Sequence, residues 1–125
     1  MRLEYLRAVC VEIGAKAPVS FWDADLETLS RAWTGIGPEH WPKWMRGAVS
    51  VLLRPFNAAA LIHDWEFSQP GKTLAKFTAA NARLVENIAR EAIFDCHPAI
   101  IPWGIAAGIL CEVFGWKAYK EGKLK

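Results

Sequence analysis

A short turn between two helix-prone segments limits how this chain can fold. Residues 68–71 (Ser-Gln-Pro-Gly) separate a segment that begins near Asn57 from one that runs from Thr73 to about Glu91. Proline and glycine in the turn end the first helix, and Thr73 is a good N-cap for the second. Helices joined by so short a connection run antiparallel and contact each other. The sequence therefore predicts an antiparallel helix pair in the middle of the chain.

The remaining segments also show helical periodicity rather than strand alternation. In the second helix of the pair, apolar residues recur every three or four positions, and residues 1–15 show the same pattern. We expect an all-α fold of five or six helices in a single domain over residues 1–125, with N-terminal helices within 1–33. The predicted stripe of the second helix is Leu74, Phe77, Ala80, Leu84, Val85 and Ile88. The predicted caps and breakers are Asp23 or Asp25, Gly35, Pro42, Asn57, Thr73 and Pro102.

Charge and cysteine content narrow the classes of partner and compartment. The 125 residues carry a net charge of +2, and no basic run is interleaved with aromatic residues, so we expect no nucleic-acid partner. The three cysteines form no Cys-x-x-Cys motif and have apolar neighbours, which predicts reduced, buried thiols. The N-terminus lacks a secretory pattern. We therefore expect a cytoplasmic or virion location rather than secretion by a signal peptide.

Residues 99–116 form the most apolar segment of the chain. Glu112 is its only charged residue, while Pro102 and three glycines interrupt it. Its length is near the minimum for a membrane span, but these interruptions favour a buried core helix. A membrane-associated helix is the alternative.

The first helix of the central pair carries His63 and Asp64 side by side in an apolar stretch. Burying ionisable groups is costly unless they are paired or bind a ligand. The antiparallel arrangement can bring Asn81 of the second helix close to His63. A neutral histidine held in this way can accept a proton from water. The alternative, twice as frequent on general grounds, is a structural histidine beside a solvated aspartate.

Four ordered segments spanning residues 34–119 resemble the phospholipase A2-like superfamily and, more closely, a family of uncharacterised phage and prophage proteins with a degenerate form of that core. Residues 34–38 (Thr-Gly-Ile-Gly-Pro) resemble the family's Asn-Gly-Cys-Gly-Pro loop. Residues 62–67 (Ile-His-Asp-Trp-Glu-Phe) resemble Ile-His-Asp-x-x-Tyr. Residues 80–87 resemble Ala-Asp-x-x-Phe-x-x-Asn, and residues 113–119 resemble Val-x-x-Phe-Gly-x-x-Ala-Phe/Tyr.

The resemblance implies roles for five residues. His63 would be the general base, Asn81 would orient it, and Asp64 with the carbonyl groups of Gly35 and Gly37 would bind calcium, the one candidate cofactor. Calcium requires about six or more oxygen ligands, of which Asp64 supplies at most two.

Several positions depart from the enzymes of this superfamily. Asn81 stands where the enzymes have a carboxylate, so it can accept a hydrogen bond from His63 but cannot stabilise an imidazolium by charge. Phe67 stands where a tyrosine hydroxyl would join the same network. Ile36 and Glu66 stand where cysteines are expected.

Three functions are compatible with these residues. The one we favour is a phage-associated, non-catalytic phospholipase A2-like scaffold that acts as a virion or assembly accessory protein. The second is a weak calcium-dependent lipid or ester hydrolase, and the third is a membrane-active prophage protein. The favoured function implies a protein partner from the phage or its host, with lipid as the other candidate partner. The sequence leaves the oligomeric state open.

Overall fold

A computed structural model describes residues 3–33, 43–53 and 55–121, of which most are helical and none forms a β-strand. The all-α prediction is confirmed, although this part of the chain contains eight α-helices rather than five or six. The helices are α1 (Leu3–Glu12), α2 (Val19–Asp23), α3 (Leu26–Ala32), α4 (Lys43–Leu53), α5 (Asn57–Ser68), α6 (Leu74–Phe94), α7 (Ile101–Phe114) and α8 (Trp116–Glu121), with one 3-10 turn at Pro98–Ile100 before α7.

Three of the six predicted caps and breakers are found where the sequence places them, and Pro42 lies outside the described residues. Asp25 accepts a hydrogen bond from the Thr28 N–H at 2.8 Å, and Thr73 accepts one from the Lys76 N–H at 3.1 Å. Gly71 has a φ of +74°, a backbone conformation that favours glycine, within the turn between α5 and α6. Pro102 lies in the first turn of α7, as expected.

Two predicted helix ends are wrong. We expected Gly35 to end α3, but the helix ends at Ala32 and Trp33 is already extended. Gly35 and Gly37 lie outside the described residues. We also expected Asn57 to cap α5, but Asn57 is the first residue of this helix and Phe56 occupies the cap position without a side-chain bond.

The free N–H groups at the start of α5 are satisfied by a carboxylate from α6 instead. Glu91 accepts hydrogen bonds from the N–H groups of Ala58 at 3.3 Å and Ala59 at 3.0 Å. The unpaired N–H groups at this helix end favour a negative charge, but burial outweighs them and raises the pKa of Glu91 to about 7. This contact places the start of α5 beside the later part of α6, as the antiparallel arrangement requires.

Helix α6 packs against both α5 and α7, and two apolar clusters surround this arrangement. One cluster joins the N-terminal helices to α5 and includes Phe21, Leu29 and Leu61; the other joins α5, α6 and α7 and includes Leu84 and Ile88. The predicted stripe of α6 is buried at Phe77, Ala80, Leu84 and Ile88, whereas Leu74 is exposed, because it begins the helix beside the turn.

The prediction of buried thiols holds for two of the three cysteines. Cys10 and Cys111 are buried and free, whereas Cys96 is exposed. Cys96 lies in the turn after α6, where it has a φ of +60°. The surface position of this turn explains its exposure.

Helix α7 is the segment for which a membrane-associated alternative was open. Within the described ranges, no helix is long and apolar enough to cross a membrane. One side of α7 is buried through Gly104, Ala107, Gly108 and Cys111, and other sides expose large apolar residues. The core-helix prediction is therefore correct for one side of α7.

Glycines on α7 allow this helix to approach α6 closely. A Cβ atom added at Gly108 would lie 2.5 Å from Cγ2 of Val85, and one added at Gly104 would overlap Cγ2 of Ile88. Both neighbours are β-branched and have little freedom to rotate. The two glycines therefore set the distance between α6 and α7.

We predict that Gly104→Ala lowers the free energy of unfolding by about 1–3 kcal/mol, because the added methyl group overpacks against Ile88. Urea unfolding measures this change. Gly47→Ala is the matched control, since an added Cβ on α4 meets nothing within 4 Å. That variant should be neutral or more stable by up to about 1 kcal/mol, because alanine favours helix. Equal effects of the two substitutions would contradict the packing argument.

Candidate functional site

The predicted contact between His63 and Asn81 is present. Nε2 of His63 lies 2.8 Å from Oδ1 of Asn81, and both side chains are buried. The turn at residues 69–73 brings the last half of α5 against the first half of α6. The antiparallel pairing inferred from this turn is therefore sufficient to explain how the two residues meet.

A third residue, which the sequence analysis did not assign to the site, completes the network. Nδ2 of Asn81 donates a hydrogen bond to Oε2 of Glu112 at 2.7 Å, and the Thr78 hydroxyl donates one to Oε1 of Glu112 at 3.0 Å. Glu112 comes from α7, so the network connects three helices. The sequence feature that pointed to Glu112 is that it is the only charged residue within the apolar segment 99–116.

The network determines which nitrogen of His63 carries the proton. A carboxylate only accepts hydrogen bonds, so the amide group of Asn81 must face Glu112 and its oxygen must face His63. His63 therefore donates from Nε2–H. In the neutral ring, Nδ1 is then the nitrogen with the free lone pair, which is the acceptor that proton abstraction from water requires.

Burial makes His63 a weak base. Desolvation lowers its pKa to about 4, and the hydrogen bond to Asn81 opposes this effect only in part. The ring of Phe67 covers one side of the imidazole, with ring centroids 4.2 Å apart. The imidazole is consequently neutral at physiological pH.

Phe67 belongs to an aromatic group beside the network. Its ring contacts Phe77 and Tyr119, and Trp116 packs against both of these residues. Lys72 donates a hydrogen bond to the Phe67 carbonyl group and lies 4.4 Å from the centre of the Tyr119 ring. The position where a tyrosine hydroxyl was expected is therefore part of an apolar wall.

The predicted calcium ligands are only partly described. Asp64 is half-buried, and its charge is one of the causes, after burial, that raise the pKa of Cys111 to about 12. Gly35 and Gly37 lie in the segment 34–42, which the structure does not describe. No group of three or more His, Cys, Asp or Glu side chains within the described residues is arranged to hold a metal. Asp64 alone falls short of the oxygen ligands that calcium requires.

Comparison with protein-family models, curated proteins and solved structures finds no match for this chain. The function of the chain is therefore inferred from the geometry and chemistry of its own residues.

We predict that His63 makes the folded chain less stable in acid. The pKa of a histidine in an unfolded chain is about 6.5, so the unfolded state binds a proton between about pH 6.5 and 4 while the folded state does not. The stability from this group is complete above about pH 6.5 and falls by up to roughly 3 kcal/mol towards pH 4. Urea unfolding of wild type and His63→Gln over this range measures the difference in slope.

His97→Gln, at an exposed position, controls for the replacement of an imidazole by an amide. Burial raises the pKa of Glu91 to about 7, so the effect of Glu91 on the free energy of unfolding has the opposite pH dependence to that of His63. Its contribution to stability is present in acid and is lost as the pH rises through about 7. Only the difference between wild type and His63→Gln therefore isolates His63. Parallel curves for these two proteins would show that folding does not lower the pKa of His63.

Proposed function

We propose that this chain is a phospholipase A2-like scaffold of the phage-protein type that has lost catalysis and acts as a virion or assembly accessory protein. One observation carries the proposal: His63 is buried against a neutral amide, and its pKa is lowered to about 4. The fold class and the His63–Asn81 contact support the scaffold, and the weak base supports the loss of catalysis.

A general base works best when the pKa of its conjugate acid is near the working pH. At a pKa of about 4, roughly one His63 ring in a thousand is protonated at neutral pH. Asn81 contributes no charge that would stabilise an imidazolium formed during proton transfer. Burial also restricts the access of water and substrate to the ring. These three properties disfavour proton abstraction by His63.

The contacts between α5 and α6 support a retained scaffold. Arg83 donates two hydrogen bonds to the Glu66 carboxylate, at 2.7 and 2.9 Å. By the resemblance to the phospholipase A2-like superfamily, Glu66 stands at the position where the secreted enzymes of that superfamily have a disulfide-bonded cysteine. A two-point ion pair of arginine and a partly buried carboxylate can brace the helix pair without oxidation.

Exposed apolar residues on α7 support the proposed protein partner. Ile105, Ile109 and Val113 recur at four-residue spacing and are exposed to 41%, 57% and 62%. Residues spaced in this way lie on one side of a helix. Contiguous exposed apolar surface is typical of sites that bind another protein or a membrane.

A weak ester hydrolase is the second candidate, and the tautomer of His63 favours it. The Nε2–H group faces Asn81, so Nδ1 carries the lone pair that a general base would use. This function requires His63 to act despite its low pKa.

We predict that wild type and Asp64→Asn give the same heat signal in calcium titration calorimetry. We also predict that ester turnover by wild type is no faster than turnover by His63→Ala, because the buried ring is a poor base. His97→Ala controls for nonspecific effects of removing an imidazole. Calcium binding that is lost in Asp64→Asn, together with turnover that is lost only in His63→Ala, would establish the hydrolase and overturn the proposal.

The accessory role has its own test. In particles purified from a host that expresses the chain from its native locus, quantitative mass spectrometry should detect the chain in a fixed ratio to the major structural protein. Assembly should be unaffected by His63→Gln if the role is non-catalytic, because glutamine keeps a neutral hydrogen-bond acceptor but cannot act as a base. Loss of infectious particles in that variant, with the protein folded and present, would contradict a non-catalytic role.

A further inference from the structure

Glu112 ends the polar network that begins at His63 and continues through Asn81. It belongs to α7, whereas His63 and Asn81 belong to α5 and α6, the predicted helix pair. Its carboxylate accepts a hydrogen bond from Nδ2 of Asn81 at 2.7 Å and one from the hydroxyl group of Thr78 at 3.0 Å. We propose that Glu112 is the positioning residue of this site: through Asn81, it holds His63 in the Nε2–H tautomer. The inference uses the His63–Asn81 pair of the proposed function and holds for both binding and hydrolysis.

The carboxamide of Asn81 is nearly symmetric in shape. The side chain of Asn81 can rotate by 180°, which exchanges its oxygen and its NH2 group with little change in shape. Contact with His63 does not choose between these orientations, because a neutral imidazole can donate from one nitrogen and accept at the other. In one orientation Nε2 of His63 donates, and in the other it accepts.

Glu112 removes this freedom. If Asn81 rotated, its oxygen would face an oxygen of the carboxylate at a distance near 2.7 Å, and a donor would be lost. A charged acceptor makes the correct hydrogen bond stronger than a neutral one would be, and it makes the wrong orientation repulsive. The Thr78 hydroxyl holds the second oxygen, so the carboxylate is fixed at two points.

The orientation of Asn81 then determines what His63 presents. With Nε2–H donating to Asn81, the lone pair is on Nδ1, and any ligand or water that reaches the ring meets an acceptor. Without Glu112, both orientations and both tautomers become accessible. In the enzymes that this chain resembles, a carboxylate lies next to the histidine. Here the amide of Asn81 lies next to His63, and the carboxylate of Glu112 on the far side of Asn81 sets the orientation of that amide.

The test reads the tautomer directly. Two-bond proton–nitrogen correlation spectra of uniformly 15N-labelled protein distinguish the protonated and unprotonated nitrogens of His63. They are recorded at a pH well above 6.5, where the ring is neutral. We expect one tautomer in wild type, with the other below about one part in a hundred. In Glu112→Gln and Glu112→Ala, the second tautomer should rise to about one part in ten or more.

Two further variants separate positioning from a structural effect. Glu86→Gln removes the same charge from an exposed position on α6 and should leave the wild-type spectrum. In Asn81→Asp combined with Glu112→Gln, the carboxylate at position 81 can only accept, so the single Nε2–H tautomer should return. Because this carboxylate also raises the pKa of the ring, this spectrum is recorded at a higher pH, at which the ring is again neutral. A purely structural role for Glu112 does not predict this rescue.

A single Nε2–H tautomer in both Glu112→Gln and Glu112→Ala would overturn the inference. So would a failure of the double variant to restore it after the single variants had lost it. Glu112 is an exposed residue and glutamine has nearly the same shape, so Glu112→Gln carries the test if Glu112→Ala does not fold. The measurement involves neither calcium nor turnover, so failure here is distinct from failure of the proposed function.

Discussion

Three buried polar side chains on α6 hold the neighbouring segments around it. Asn81 bonds α5 and α7, Glu91 bonds the start of α5, and Asn87 bonds both backbone groups of Lys16 at 2.8 and 2.9 Å. A buried polar group without a partner costs more than its hydrogen bond contributes. Together these side chains specify the register of α5, of α7 and of the segment at Lys16 against α6. The position of His63 is one consequence of this arrangement.

The parts of the structure that depend on local sequence were predictable. The turn with Pro70 and Gly71 implied the antiparallel pair, and that pair implied the contact of His63 with Asn81. Thr73 and Asp25 cap helices because each side chain reaches an N–H group three residues away. Such signals lie within a single turn of the chain, where the range of conformations is small.

The parts that depend on distant residues were not predictable in the same way. Glu91 takes the capping role expected of Asn57, although more than 30 residues separate Glu91 from the two N–H groups it caps. Glu112 joins the site from α7, 31 residues after Asn81. Both are acids in helices, and their spacing alone does not show which neighbour they meet. A single acid in an apolar segment indicates a buried partner, but the partner becomes identifiable only when the packing of α6 and α7 is known.

Different neighbours control two properties of His63: its direction, meaning which ring nitrogen carries the proton, and the basicity of the ring. Asn81 and Glu112 determine which ring nitrogen carries the proton, whereas burial beneath Phe67 lowers the affinity of the other nitrogen for a proton. A general base needs both the correct direction and sufficient basicity. This site has the first property, and the lowered pKa of His63 weakens the second.

A group that is oriented but weakly basic suits a role as a neutral hydrogen-bond acceptor. Such a role needs no change of charge during the functional step, so a buried imidazole is no disadvantage. In this network Glu112 maintains the orientation of Asn81, and Asn81 maintains that of His63. In the scaffold we propose, the network would thus be retained for geometry, with the charge of Glu112 separated from the imidazole by the Asn81 side chain.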